Sequence, residues 1–212
     1  MAHYNDSKYY DILVNCGAIQ RGHFILSSGM HSDLYIQCAS MMSNPAIAGS
    51  ICKDLSVKIS EYLNLHKIDI DMCLAPAFGG ILVGYEIARN LTKPSLFAER
   101  VQGNLCLRRG FSIQEGSNVI ITEDVVSTGK SARECMRIAH DYNANIVAVA
   151  SIINRSCSDN LDGIPLISLI DITAEMYHEN EIPDSLLAIP VEKPGSRGIT
   201  DDKDLVSCET AK

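Results

Sequence analysis

A chain of 212 residues, 46% of them hydrophobic, can bury a sizeable core, and its length suits one large domain with a small appendage better than two complete domains. Eighteen Lys and Arg against 26 Asp and Glu give a formal charge of −8, which argues against a protein that coats nucleic acid with its whole surface but leaves room for a local basic pocket. The eight cysteines, at 16, 38, 52, 73, 106, 135, 157 and 208, never stand two residues apart, so zinc-site spacing is absent. With no secretory leader pattern and no apolar run near the eighteen or so residues that span a bilayer, a cytoplasmic protein with free thiols and no membrane partner is expected.

In chain order, Asp6 to Cys16 reads as a helix, and Phe24 to Leu26 and Leu34 to Gln37 as two short strand-like runs. Residues 1 to 40 are expected, with part of the C-terminal segment, to form a small hood. Asn44 and Pro45 supply a cap and a first-turn proline for a helix with Ile47, Ile51, Leu55, Ile59 and Leu63 at four-residue spacing. Met72 to Ala75 reads as a buried strand, Gly79 and Gly80 open a helix over Ile81 to Asn90, and Pro94 to Ala98 is another strand. Between Ala98 and Phe111 few core residues occur, and a protruding hairpin or flexible loop is expected. Asn118 to Thr122 reads as a central strand, Ser131 to Tyr142 as a helix, and Asn145 to Ile153 and Leu166 to Asp171 as strands. Short apolar strands alternating with helices predict an α/β fold, with an open, mostly parallel sheet flanked by helices.

Ligands of such sheets sit at the carboxyl ends of the strands, which directs attention to the residues just past Val119 to Thr122. There the chain reads Glu123, Asp124, Val125, Val126, Ser127, Thr128, Gly129, Lys130, Ser131. Two adjacent acids suit ribose hydroxyls and a divalent cation. A hydroxyl-rich turn at a helix start suits a phosphate, because unpaired N–H groups and the helix dipole point at it. An ordinary connection in which Ser127 or Thr128 merely caps the helix would not account for both acids. A Walker A loop is disfavoured because Asp124 stands where that motif needs glycine.

ITEDVVSTGKS resembles the phosphoribosyl pyrophosphate (PRPP) loop of type I phosphoribosyltransferases. GHFILSSGMHSDLYIQCA (22–39), LAPAFGGILVGYEIAR (74–89), FAERVQGNLCLRRGF (97–111) and Arg155 extend the resemblance to orotate phosphoribosyltransferases, with a weaker echo in KPGSRG from Lys193. The resemblance implies transfer of the 5-phosphoribosyl group from PRPP to orotate, giving orotidine 5′-monophosphate and pyrophosphate in pyrimidine biosynthesis, with Mg2+, in a homodimer with shared active sites. Glu123 and Asp124 would hold the ribose hydroxyls, and the turn from Val125 to Ser131 would wrap the 5′-phosphate. Phe78, Gly79 and Gly80 would face pyrophosphate. Ser127, where the family usually has threonine, would touch the base, and Arg155 would pair with orotate's carboxylate through its planar fork.

Arg100 is the catalytic cation implied for the leaving group, with Arg108 and Arg109 as weaker ones. No protein residue is assigned as a direct metal ligand, although Asp124 could touch an ion carried by PRPP, and the six scattered histidines are assigned none. The chain departs from the family at Ser27 and Gly79, where many relatives carry lysine. It departs again at Lys130, which takes a small-residue position and is expected to be an exposed first-turn lysine. The alternatives are transfer to another nucleobase and a non-catalytic PRPP-binding regulator of RNA, which the charge of −8 disfavours.

Overall fold

The computed structural model describes residues 3 to 26 and 28 to 194; Ser27, Cys208 and most of the KPGSRG segment lie outside the described residues. The elements are β1 (His3–Tyr4), α1 (Ser7–Asn15), β2 (Ile19–Ile25), β3 (His31–Ile36), α2 (Cys38–Met42), α3 (Pro45–His66), β4 (Met72–Pro76), α4 (Gly79–Leu91) and β5 (Ser95–Val101). They continue with β6 (Asn104–Leu107), β7 (Asn118–Val126), α5 (Lys130–Asp141), β8 (Asn145–Asn154), β9 (Asn160–Leu161), β10 (Ile164–Thr173), β11 (Met176–Tyr177), α6 (Asp184–Leu187) and β12 (Val191–Glu192).

Two compact units emerge. The larger takes His3–Ile19 and Ile36–Thr173, and the smaller, among the described residues, is built on Gln20–Tyr35 and residues 174 to 194. The smaller unit carries the strand order β11-β3-β2-β12, in which β11 pairs antiparallel with β3 and β12 parallel with β2. Inside it the buried His23 and His31 are joined Nε2 to Nδ1 at 2.7 Å, and His23 Nδ1 reaches the Ile189 carbonyl at 3.3 Å. The first helix, expected to join the hood, falls instead in the larger unit: β1 pairs with β10, and the Tyr9 hydroxyl donates to Asp54 of α3 at 2.9 Å.

In the larger unit the sheet order is β1-β10-β8-β7-β4-β5-β6, and the five strands from β10 to β5 run parallel. The chain passes from β4 outward to β5, returns across the sheet to β7, and then builds the other way through β8 and β10. The reversal therefore lies between β4 and β7, where neighbouring crossovers diverge and leave a crevice at the carboxyl ends.

Strand alternation then sorts the central strand's residues. Val119 and Ile121 join Leu74, Leu96, Leu105 and Val149 in a core closed by Ala132, Cys135, Ile138 and Ala139 of α5. Thr122 meets α4 instead, where a Cβ on Gly84 would lie 2.6 Å from its hydroxyl oxygen. Helix α3 begins as its sequence requires, with Asn44 Oδ1 accepting from the Ala46 and Ile47 amides and Pro45 in the first turn. It ends at Lys67, whose left-handed backbone satisfies the final carbonyls. Among the described cysteines, Cys38, Cys52, Cys73 and Cys135 are buried in these layers, and burial pushes the Cys52 and Cys73 thiols up to about 12, so they pack as small hydrophobes.

One expectation needs correction. The central strand does not stop at Thr122 but continues through both acids to Val126, because Val125 and Val126 pair with Ile153 and Asn154 of β8. Neither Ser127 nor Thr128 caps α5. Gly129 holds that position with φ +72°, and Lys130 is the first helical residue and exposed, as expected. The segment after Ala98 takes the hairpin form expected of it, with β5 and β6 turning at Gln102 and Gly103, and Ala98 and Leu105 both contribute to the core.

Candidate active site

The crevice between β4 and β7 receives two of the expected segments. β4 ends at Pro76, and α4 starts at Gly79 behind the exposed Phe78. One strand over, β7 delivers Glu123 and Asp124. Asp124 lies directly over Gly79: a Cβ built on that glycine would sit 2.5 Å from Asp124 Oδ2 and 2.9 Å from Oδ1. The Val125 amide donates to Asp124 Oδ1 at 2.9 Å and fixes that oxygen.

Glu123 is 8% exposed. Its burial, and secondarily the negative Asp124 beside it, push its carboxyl up to about 9, with Arg100 offsetting part of the rise. Asp124 is also raised, by burial, while the Val125 amide and a hydrogen bond from Glu123 pull the other way. Both carboxyls are thus pushed toward the protonated form in the ligand-free site, because two desolvated neighbouring carboxylates resist ionising together.

Beyond Asp124 the strand runs into the turn 127–129, with Ser127, Thr128 and Lys130 exposed and Gly129 buried. The turn is braced from outside. A Cβ on Gly129 would fall 2.5 Å from Leu161, and Arg133 of α5 donates from Nη1 to the Thr128 carbonyl while its other nitrogens grip Asp162 at 2.7 and 3.1 Å. Arg133 and Asp162 escape a reading of the sequence, since they lie 29 residues apart and neither belongs to a motif. Helix α5 leads off from this turn with its first amides free of intrahelical partners, an anion-favouring end.

Arg155 stands just past β8, and its amide donates to the Val126 carbonyl at 2.7 Å, which places it beside the start of the turn. The connection from β7 through α5 to β8 brings the two strand ends together, as one β-α-β unit should. Behind it, the buried Asn154 bonds to the Ser158 carbonyl and Asp171 and accepts from the Ser156 amide and hydroxyl, shaping the segment beyond the strand. The guanidinium is half-buried, and desolvation lowers its proton affinity from the usual arginine value. Among the described residues it meets no carboxylate. A desolvated cation lacking an anion is costly unless a ligand supplies one.

No family model matches the chain. It is 45% identical over 183 residues to the orotate phosphoribosyltransferase of Parvibaculum lavamentivorans, covering 86% of this chain and 93% of that one. With the orotate phosphoribosyltransferase of Caldicellulosiruptor saccharolyticus it shares 42% identity over 195 residues, covering 92% and 99%. The chain belongs to the orotate phosphoribosyltransferase family. Among solved structures, the orotate phosphoribosyltransferase of Aeropyrum pernix matches 76% of this chain and 92% of its own with a TM-score of 0.58 at 23% identity. The adenine phosphoribosyltransferase of Saccharomyces cerevisiae matches 77% and 99% with a TM-score of 0.58 at 17% identity, a likeness of fold alone.

Within this chain the hairpin arginines differ in their surroundings. Arg100 pairs with Glu134 of α5 at 2.8 Å and donates to the Gly103 carbonyl at 2.7 Å. Arg109 forks onto Glu99 at 2.7 and 3.0 Å. Arg108 is exposed and, among the described residues, forms no ion pair, so of the three it is the readiest for an incoming anion, a ranking the sequence does not suggest. Among the described residues no helix is long and apolar enough to cross a membrane.

Proposed function

We propose that this chain transfers the 5-phosphoribosyl group of PRPP to orotate, giving orotidine 5′-monophosphate and pyrophosphate. The observation that carries this reading is the acid pair and amide-rich turn at the sheet's reversal, with a half-buried, anion-seeking Arg155 beside them. Glu123 and Asp124 take the ribose hydroxyls, the turn from Val125 to Ser131 takes the 5′-phosphate, and Arg155 takes orotate's carboxylate, with Ser127 toward the base. Phe78 and Gly79 line the pyrophosphate side. As the bond from the anomeric carbon to pyrophosphate breaks and the bond to the base nitrogen forms, positive charge grows on the sugar and negative charge on the leaving group. Cations of the hairpin, Arg100 or Arg108, neutralise the latter.

Among the described residues no three His, Cys, Asp or Glu side chains stand together as a metal site. The residues fit Mg2+ that arrives already held by the donor's oxygens, with Asp124 as the protein group able to approach it. Bound there, the ion would supply charge neutralisation at the pyrophosphate. The resemblance also leads us to propose a homodimer with shared sites in the cytoplasm. In sedimentation the active species is expected at twice the chain mass, and a fully active monomer would refute that assembly.

The decisive assay mixes the chain with PRPP, Mg2+ and one base at a time and monitors pyrophosphate. Release with orotate is expected. Release with uracil or adenine but not orotate would overturn the substrate assignment, and PRPP binding without release for any base would favour the regulator reading.

A further inference from the structure

We propose that Gly79 is a positioning residue for Asp124: its missing side chain leaves the volume in which the Asp124 carboxylate is held toward the donor. This rests on the proposed role of Asp124 in binding the donor. Three glycines lie along α4, at 79, 80 and 84, but their surroundings differ. A Cβ on Gly80 would approach Pro76 and the Thr122 carbonyl, each at 3.0 Å, and one on Gly84 would meet the Thr122 hydroxyl at 2.6 Å and Ala75 at 3.0 Å. Those glycines let the helix lie close on β4 and β7. At Gly79 the three nearest atoms all belong to the Asp124 carboxyl group, at 2.5, 2.8 and 2.9 Å.

The response to a side chain at 79 depends on which partner can yield. Gly79 lies within a helix without a positive φ, so alanine fits the backbone and favours the helix. Moving α4 would disturb its packing on β4 and β7, whereas Asp124 needs only a rotation about its own side-chain bonds. That rotation breaks the 2.9 Å bond from the Val125 amide and turns the carboxylate away from the sugar. Fold stability is thus nearly indifferent to a methyl at 79, and donor binding is not. Position 79 is 45 residues from Asp124 in sequence, yet the reversal between β4 and β7 sets the two against each other.

The test compares wild type with Gly79→Ala, Asp124→Ala, the double variant and Gly84→Ala, measuring KM for PRPP, kcat and melting temperature. Gly79→Ala should melt within a few degrees of wild type and raise the PRPP KM by about 10- to 100-fold, the loss expected for one charge-assisted hydrogen bond. In the Asp124→Ala background the same change should alter that KM by less than about twofold, because coupled sites are non-additive. Gly84→Ala should do the reverse, melting lower with its PRPP KM near wild type. Additive effects of Gly79→Ala and Asp124→Ala, or a wild-type PRPP KM in Gly79→Ala while Asp124→Ala weakens donor binding, would overturn the proposal. If Asp124→Ala leaves donor binding intact, the donor-binding reading fails on its own. A crystal structure of Gly79→Ala then decides the positioning: a displaced Asp124 supports it, and the original rotamer defeats it.

Discussion

Replacing Arg155 with alanine should raise the KM for orotate by about 30- to 1,000-fold, the usual loss when a buried, forked charge pair loses one partner. The KM for PRPP should stay within about threefold of wild type. The asymmetry arises from where Arg155 sits: its amide is tied to Val126, but its guanidinium meets no carboxylate among the described residues. Since burial already disfavours the charge, its removal relieves the ligand-free protein, and the melting temperature should hold or rise slightly. Lysine should recover little, because an ammonium cannot match both carboxylate oxygens in one plane. Equal losses for orotate and PRPP would contradict the assignment.

The second large effect concerns Glu123. In the folded, ligand-free protein its carboxyl is pushed up to about 9, whereas in the unfolded chain it titrates near the ordinary value of about 4.3. Through that window the folded state keeps a proton that the unfolded state has released, so this group's contribution to stability falls as pH rises from about 4.5 to 9. Glutamine resembles the protonated form and removes the slope. At pH 8 Glu123→Gln should melt higher than wild type by about 2–10 °C, corresponding to roughly 1–3 kcal/mol. The difference should shrink as pH approaches about 5, close to the unfolded value. Its PRPP affinity should nevertheless drop by about 10- to 100-fold, because glutamine has no proton to shed when the donor binds and so never offers the ribose hydroxyls a charged acceptor. A melting difference that is flat with pH would mean that Glu123 is already ionised when buried, and the desolvation account would fail.

Much of this site can be read from adjacent residues. The alternation of strands and helices and the Asn44–Pro45 helix start depend on interactions within a few positions, and both lie where the sequence puts them. The illegible parts are those fixed by partners distant in sequence. That β7 runs on through Glu123 and Asp124 depends on the register with β8, and carboxylates ordinarily signal a strand's end. Gly129 takes the cap position ahead of two hydroxyl residues because Leu161 fills the space a side chain would need. The first helix forms where its pattern predicts, but no local signal tells that it belongs with the larger unit, since this depends on β1 meeting β10 and Tyr9 meeting Asp54. The ion pairs that occupy Arg100 and Arg109 are likewise hidden, because charge counts along a hairpin do not reveal which arginine is neutralised.

The strut of Leu161, Asp162 and Arg133 behind the turn at 127–129 has a consequence for inhibition. With the 5′-phosphate taken by this turn as proposed, a socket shaped during folding leaves little loop entropy to be lost when a phosphate mimic arrives, so compact, rigid anions should gain more from it than long flexible ones. Selectivity among such mimics can accordingly be tuned from the β9 side, by residues that never touch the compound.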